Sequence, residues 1–165
     1  LRGKLVHRML QSLPDIDPAR RGDVGAAYLA QPGHRLSESQ QEAILTETLA
    51  VMSRPDFADL FTGAAVAEAP IVGTVQTQAG PRVVSGQIDR IVITDDRVLV
   101  VDYKTNRPPP TDAADVPMIY LRQMALYRRL LMTIYPGKTV DCALLWTDGP
   151  ILMRLPVESM ERAAP

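Results

Sequence analysis

A chain of 165 residues with 46% hydrophobic residues and a net charge of −1 is long enough for one domain with a real core and too short for two ordinary ones. No apolar run approaches the roughly 20 residues of a membrane-spanning helix, and the basic, amphipathic amino terminus has no signal-peptide pattern. The single cysteine excludes an internal disulfide and a cysteine-held metal or iron–sulfur centre, which together favours a cytoplasmic location. The near-neutral charge argues against a dedicated nucleic-acid module, but leaves room for a local basic patch.

Leu1 to Leu13 reads as an amphipathic helix with Leu5, Met9 and Leu13 on one face, stopped by Pro14. His7 lies mid-helix, with Gly3 one turn before it. A second helix is expected from Pro18 to Ala30, capped by Asp17 with proline at its first position. Gln31-Pro32-Gly33 ends it, and His34 in this break reads as a solvated loop residue. The third helix runs from Ser37 to Ser53, with Ala43, Ile44, Leu45, Leu49 and Met52 as its apolar side, and a helical turn follows to Phe61. Residues 1–62 thus form a helical part whose expected work is packing and shaping a channel.

From Ala65 the pattern changes to alternation, with strands predicted over Ala65–Thr77, Arg82–Thr94 and Arg97–Tyr103. Gly73 marks a bend in the first strand, and Glu68 near its start reads as a surface glutamate at a strand end. Ile88, Ile91, Ile93 and Val98 to Val101 make the second and third strands a buried hairpin around Thr94-Asp95-Asp96. Strand alternation puts Asp102 and Lys104 on one face. Pairing around Asp95-Asp96 brings Asp89 close to the level of Asp102. Burying two carboxylates together is unfavourable unless a charge offsets them, and a divalent cation is the usual solution. Asn106-Arg107-Pro108-Pro109-Pro110 cannot continue a sheet, so Asp102-Tyr103-Lys104 falls at a strand end.

Val116 to Tyr135 is the longest predicted helix, with Pro117 in its first turn. Gln123 and Tyr127 share a face at i, i+4. By residue type alone they read as a surface glutamine and a core tyrosine, and Arg122, Arg128 and Arg129 as a solvated face. Lys138–Trp146 and Ile151–Leu155 form a last hairpin across Asp148-Gly149. Cys142 is read as a buried structural thiol, and a short helix follows Pro156.

Four segments occur in order: Gly3-Lys4-Leu5-Val6-His7, Gly86-Gln87-Ile88-Asp89-Arg90, Val101-Asp102-Tyr103-Lys104-Thr105 and Gln123-Met124-Ala125-Leu126-Tyr127. Together they resemble the PD-(D/E)XK nuclease core in its RecB-like form, most closely the carboxy-terminal nuclease domain of AddA-type helicase-nucleases. The resemblance implies an α/β, restriction-endonuclease-like fold: a mixed central sheet flanked by helices, with a helical amino-terminal third. Residues 1–165 would be a single nuclease domain, and the start at Leu1 directly into a helix suggests a piece of a longer helicase-nuclease. Asp89, Asp102 and Lys104 become catalytic candidates. His7, Asp89, Asp102 and the Tyr103 backbone carbonyl become ligands of magnesium, with manganese as its substitute.

Lys104 would orient or deprotonate the attacking water, or stabilise charge on the phosphorus centre. Gln123 and Tyr127 would flank the site or touch a DNA phosphate. Glu68, Thr105 and Arg122 join them as secondary residues, with Arg128 and Arg129 extending a phosphate-binding stripe. Gly86 would allow backbone or DNA to come close. The implied partners are DNA, threaded as a single-stranded end, and an AddB-like subunit.

The four-cysteine cluster of AddB-like and Cas4-like relatives is absent, which disfavours both and excludes an iron–sulfur cluster. No G-x-x-x-x-G-K-[ST] loop is present, so any ATPase belongs to other sequence. Two alternatives stand beside this reading: an inactive nuclease fold that binds DNA or scaffolds a partner, and a free-standing RecB-like exonuclease.

Overall fold

The computed structural model describes residues 1–77 and 79–164. Three helices come first: α1 (Arg2–Ser12), α2 (Arg21–Leu29) and α3 (Glu38–Met52). Strands β1 (Ala65–Thr77), β2 (Gly80–Ile93) and β3 (Arg97–Lys104) follow, then α4 (Met118–Ile134), β4 (Thr139–Trp146), β5 (Ile151–Arg154) and α5 (Val157–Ala163). The strands lie in sequence order in one sheet, antiparallel except where β3 pairs with β4. That one parallel pairing needs a crossover, and α4 supplies it. The result is the mixed sheet with flanking helices expected of the fold.

β3 is central and covered on both sides, so its residues form a near-continuous apolar run. Alternation sends Val98 and Val100 into the core under α4 and α5, where Ile88, Met124, Cys142 and Leu144 also lie. Val101 and Tyr103 go to the opposite core, with Val6 and Leu10 of α1, Ile44 and Val51 of α3, and Ala143 and Leu145 of β4. Cys142 is 2% exposed, the buried thiol that was expected. No helix among the described residues is long and apolar enough to cross a membrane.

Local chemistry explains most boundaries. Ser37 and Gln40 form a reciprocal capping box that starts α3, worth about 1 kcal/mol. Asp17 accepts from Ala19 N–H, but the capped unit is a tight turn, Pro18–Arg20, and the α-helix begins only at Arg21. Pro117 caps α4 from outside rather than lying in its first turn.

Other expectations change more. The buried side of α3 is Ile44, Glu47, Thr48 and Val51, while Ala43 is exposed. His34 is half-buried with its ring 4.8 Å from that of Tyr28, so it is a packed residue and not a solvated one. Pairing with β2 continues through Gly73, and a Cβ there would come within 2.4 Å of Leu130 Cδ1, so its small size lets α4 approach. Glu68 lies inside β1, not at its beginning.

Candidate active site

The site forms where β2 leaves β3. The last paired residues are Arg90 and Val101, so one step further Asp89 and Asp102 face each other without a ladder. Asp89 fills the place of the missing backbone bond: its Oδ2 accepts from Tyr103 N–H at 2.7 Å. Its Oδ1 lies 3.4 Å from His7 Nδ1 on α1. The imidazole meets the Tyr103 ring edge-on at 5.6 Å.

On the other side of the strand, Lys104 Nζ donates to Asp102 Oδ2 at 2.6 Å. The same ammonium sits 3.8 Å from the centre of the Tyr120 ring on α4, a cation–π contact that holds it in place. Alternation along β3 turns Asp102 and Lys104 toward α4, while Asp89 reaches toward α1. Across the gap between the parted strands the Asp89 carboxylate is near enough for its charge to act on that of Asp102. Glu68 stands opposite Asp89 on β1, between the pairs Ala67–Arg90 and Ala69–Ile88. Its φ of 51° is uncommon for a non-glycine residue and breaks the ladder at this level.

The electrostatics favour positive charge. Burial pushes the Asp102 carboxyl up; Lys104 pulls it down, Asp89 raises it again, and the net direction is upward. Burial and Asp89 likewise raise Glu68, against the pull of His7, Arg8 and Arg90. For His7, burial pulls the imidazole down, but its hydrogen bond to Asp89 and the charges of Asp89, Asp102 and Glu68 carry it above its ordinary value. Each of these groups is biased toward holding a proton, which is the field a bound cation would relieve.

Hard oxygen donors from Asp89 and Asp102 with the His7 nitrogen suit a divalent ion. Among the described residues, however, no three histidine, cysteine, aspartate or glutamate side chains are already gathered around one point. The donors are turned into ion pairs: Asp89 with His7, Asp102 with Lys104. The chemistry fits an ion, and binding it would require these pairs to open.

The remaining candidates separate. Tyr127 is 6% exposed and lies over Gly86, where a Cβ would come within 2.3 Å of its Oη. The close approach at Gly86 is thus made by a side chain, that of Tyr127. Gln123 donates to Tyr127 Oη at 3.4 Å, and Tyr127 donates to Gln87 O at 3.5 Å, so the pair braces the Asp89 strand from behind. Thr105 touches α1: its Oγ1 would lie 2.8 Å from a Cβ on Gly3, and its carbonyl accepts from Arg2 at 3.3 Å. Arg122 donates to Ala163 O, and Arg128 and Arg129 pair with Glu161, so these arginines secure α5.

Sequence reasoning missed Glu47. This carboxylate is 8% exposed and holds Arg2 of α1, Arg107 beyond β3 and the hydroxyl of Thr147 beyond β4. Thr147 N–H in turn donates to Lys104 O at 3.0 Å. The available signal was its spacing, three after Ile44 and four before Val51 on the buried face. Arg90, 4% exposed, was also missed as a brace. It donates to Tyr103 Oη at 3.1 Å and to Leu10 O at 2.6 Å.

Among solved structures, a candidate exonuclease from Eubacterium rectale superposes with a TM-score of 0.57 at 11% identity, over 99% of this chain and 62% of that one. At that identity the likeness speaks for the fold, and the chain spans less than two thirds of that structure. Weaker matches are SSO0001 (TM-score 0.41, 15% identity, 96% of this chain and 71% of that one) and VC1899 from Vibrio cholerae (0.37, 11%, 96% and 50%). No protein of curated function matches the sequence. The family model of the PD-(D/E)XK nuclease superfamily matches residues 1–156, a span that takes in His7, Glu68, Asp89, Asp102, Lys104 and Tyr127. With this match, the mixed sheet and the carboxylates at its parting strands, the chain belongs to the PD-(D/E)XK nuclease superfamily.

Proposed function

We propose that this domain is a divalent-metal-dependent deoxyribonuclease that hydrolyses phosphodiester bonds with water. We place it as the nuclease part of an AddA-type helicase-nuclease acting in double-strand-break repair. The observation that carries the chemistry is the Asp102–Lys104 pair at 2.6 Å, level with Asp89 and His7. The order of the four sequence segments supports the narrower placement, and with it an AddB-like partner, an ATP-driven motor elsewhere in the protein, and a cytoplasmic location.

Asp89, Asp102 and His7 would hold the ion, magnesium by preference with manganese as substitute. When bound it lowers the pKa of a water and neutralises charge on the phosphodiester. The protein's own contribution is positioning. Tyr103 N–H fixes the Asp89 carboxylate, and the Tyr120 ring holds the ammonium of Lys104 beside Asp102. With Asp102 engaged as a ligand, that ammonium would be free to hydrogen-bond the attacking water or the phosphoryl oxygens as their charge grows. No covalent enzyme intermediate is needed.

The binding-only alternative draws on the absence of a gathered three-residue ligand set among the described residues. Cleavage of labelled single- and double-stranded DNA with magnesium, manganese or EDTA separates the two. Cutting should require metal, disappear in Asp102→Asn and fall about 10²- to 10⁴-fold in Lys104→Ala. A folded protein that takes up no divalent ion by calorimetry would favour the binding-only reading.

A further inference from the structure

Helix α1 carries Arg2, Lys4 and Arg8 and no carboxylate, although the whole chain has a net charge of −1. Lys4 and Arg8 are both exposed and stand one turn apart, about 6 Å along the axis. They border a cleft of about 340 Å³ that has Gln11 on the same helix, Glu68 and Asp89 opposite, and His7 among its walls. Arg8 is close enough for its charge to act on Glu68. It also borders a second cavity of about 210 Å³, lined by Met9, Leu13, Val24 and Tyr28. A cationic cleft that ends at the carboxylates and an apolar, aromatic cavity therefore share one arginine.

Basic residues on a helix are usually a solvated face. Here one end of the stripe reaches the candidate active site, and its flank opens into a space suited to an uncharged ring. A nucleotide joins those two chemistries, an anionic backbone and a flat apolar base. In a duplex the bases are stacked and paired, so only a single strand can offer both at once.

We propose that α1 and the cavity beside Tyr28 form a single-strand track, in which Lys4 and Arg8 take backbone phosphates leading to Asp89 and a base enters against Tyr28. The inference rests on the nuclease reading for its substrate class and its single-stranded end, and adds which residues take the phosphates and where a base enters. The two halves leave different signatures. Phosphate contacts release counterions and set the salt dependence of binding, whereas base stacking sets affinity with little salt dependence.

The test is binding of a fluorescent oligothymidylate in EDTA, where no cutting occurs, measured by anisotropy over a range of salt. The double variant Lys4→Ala/Arg8→Ala should lower the slope of log affinity against log salt by about 1.4, at roughly 0.7 per lost contact. Tyr28→Leu should weaken binding about 5-fold or more with its slope unchanged, and Tyr28→Phe should bind as wild type. Val24→Trp, which fills the cavity and keeps the ring, should weaken binding in the same way and covers the case in which Tyr28→Leu fails to fold. Arg154→Ala, on β5, serves as the control and should leave the slope unchanged.

A wild-type slope in the double variant, wild-type affinity in both cavity variants, or no binding by the wild type would overturn the proposal. Parallel cleavage assays keep the two readings apart. Cutting by a protein whose variants bind normally removes only the track. Binding with these signatures and no cutting removes only the catalytic reading.

Discussion

Glu47 shows how one side chain can organise a site it does not enter. Its carboxylate joins α1, the segment after β3 and the end of β4, the three pieces that carry or adjoin His7 and Lys104. Arg2 and Arg107 are partly exposed, so water can replace part of what they lose on its removal. Glu47→Ala should therefore cost about 2 kcal/mol, near the value for a hydrogen bond to a charged group. For a chain of this size that lowers Tm by roughly 4–8 °C, readable by calorimetry. Glu47→Gln keeps the shape and some of the hydrogen bonds and should lie between the two. A Tm unchanged in Glu47→Ala would remove the bracing role.

At the scale of elements, α4 matters because it is pressed against the strand that bears Asp89. Tyr127 occupies the space a side chain at Gly86 would need, and Leu130 does the same at Gly73. Gly86→Ala must displace a buried ring, at about 1–3 kcal/mol. Combined with Tyr127→Leu, the total loss should be smaller than the sum of the two single losses, because the variants share one contact. Urea titration of the four proteins reads that coupling; strict additivity would mean that the Cβ is accommodated elsewhere. The pair Gln123 and Tyr127 was recognisable by spacing, but that it braces Gln87 became visible only when β2 was placed under α4.

At the scale of the molecule, two buried protons give stability a pH dependence. Burial pushes the Cys142 thiol and the Tyr103 hydroxyl up to about 12, from ordinary values of 9.0 and 10.0. The folded state keeps these protons where the unfolded state has released them. Their contribution is present at neutral pH, begins to fall near 9.0 as the unfolded thiol ionises, and is lost as pH rises toward 12. Cys142→Ala should flatten the first part of that decline in alkaline urea titrations. The native thiol should also resist alkylation at neutral pH until the protein is unfolded. An equal rate in native and unfolded protein would contradict the burial.

Burial makes the Asp102 carboxyl resist ionisation, so a divalent ion held there as proposed should also stabilise the fold. At a concentration 100 times its Kd, magnesium should add about 2.7 kcal/mol, a Tm rise of roughly 5–10 °C. Asp102→Asn should lose most of it.

The sequence by itself determined the alternation, the turn at Asp95-Asp96 and the spacing of Asp102 to Lys104, because strand periodicity and turn chemistry are local. From these followed the level of Asp89, the face shared by Asp102 and Lys104, and the mixed sheet that the four ordered segments implied. Tertiary structure decided what depends on contacts between distant segments. It buried Glu47 among cations contributed 45 and 60 residues away, packed His34 on Tyr28, and turned Arg122, Arg128 and Arg129 toward α5. It also parted β2 from β3, which freed Asp89 to accept from Tyr103 N–H and let α1 bring His7 to it. Side-chain charge and periodicity say which residues can be buried or paired. Which partner comes within reach is set by how helices and sheet pack, and no local pattern encodes that distance.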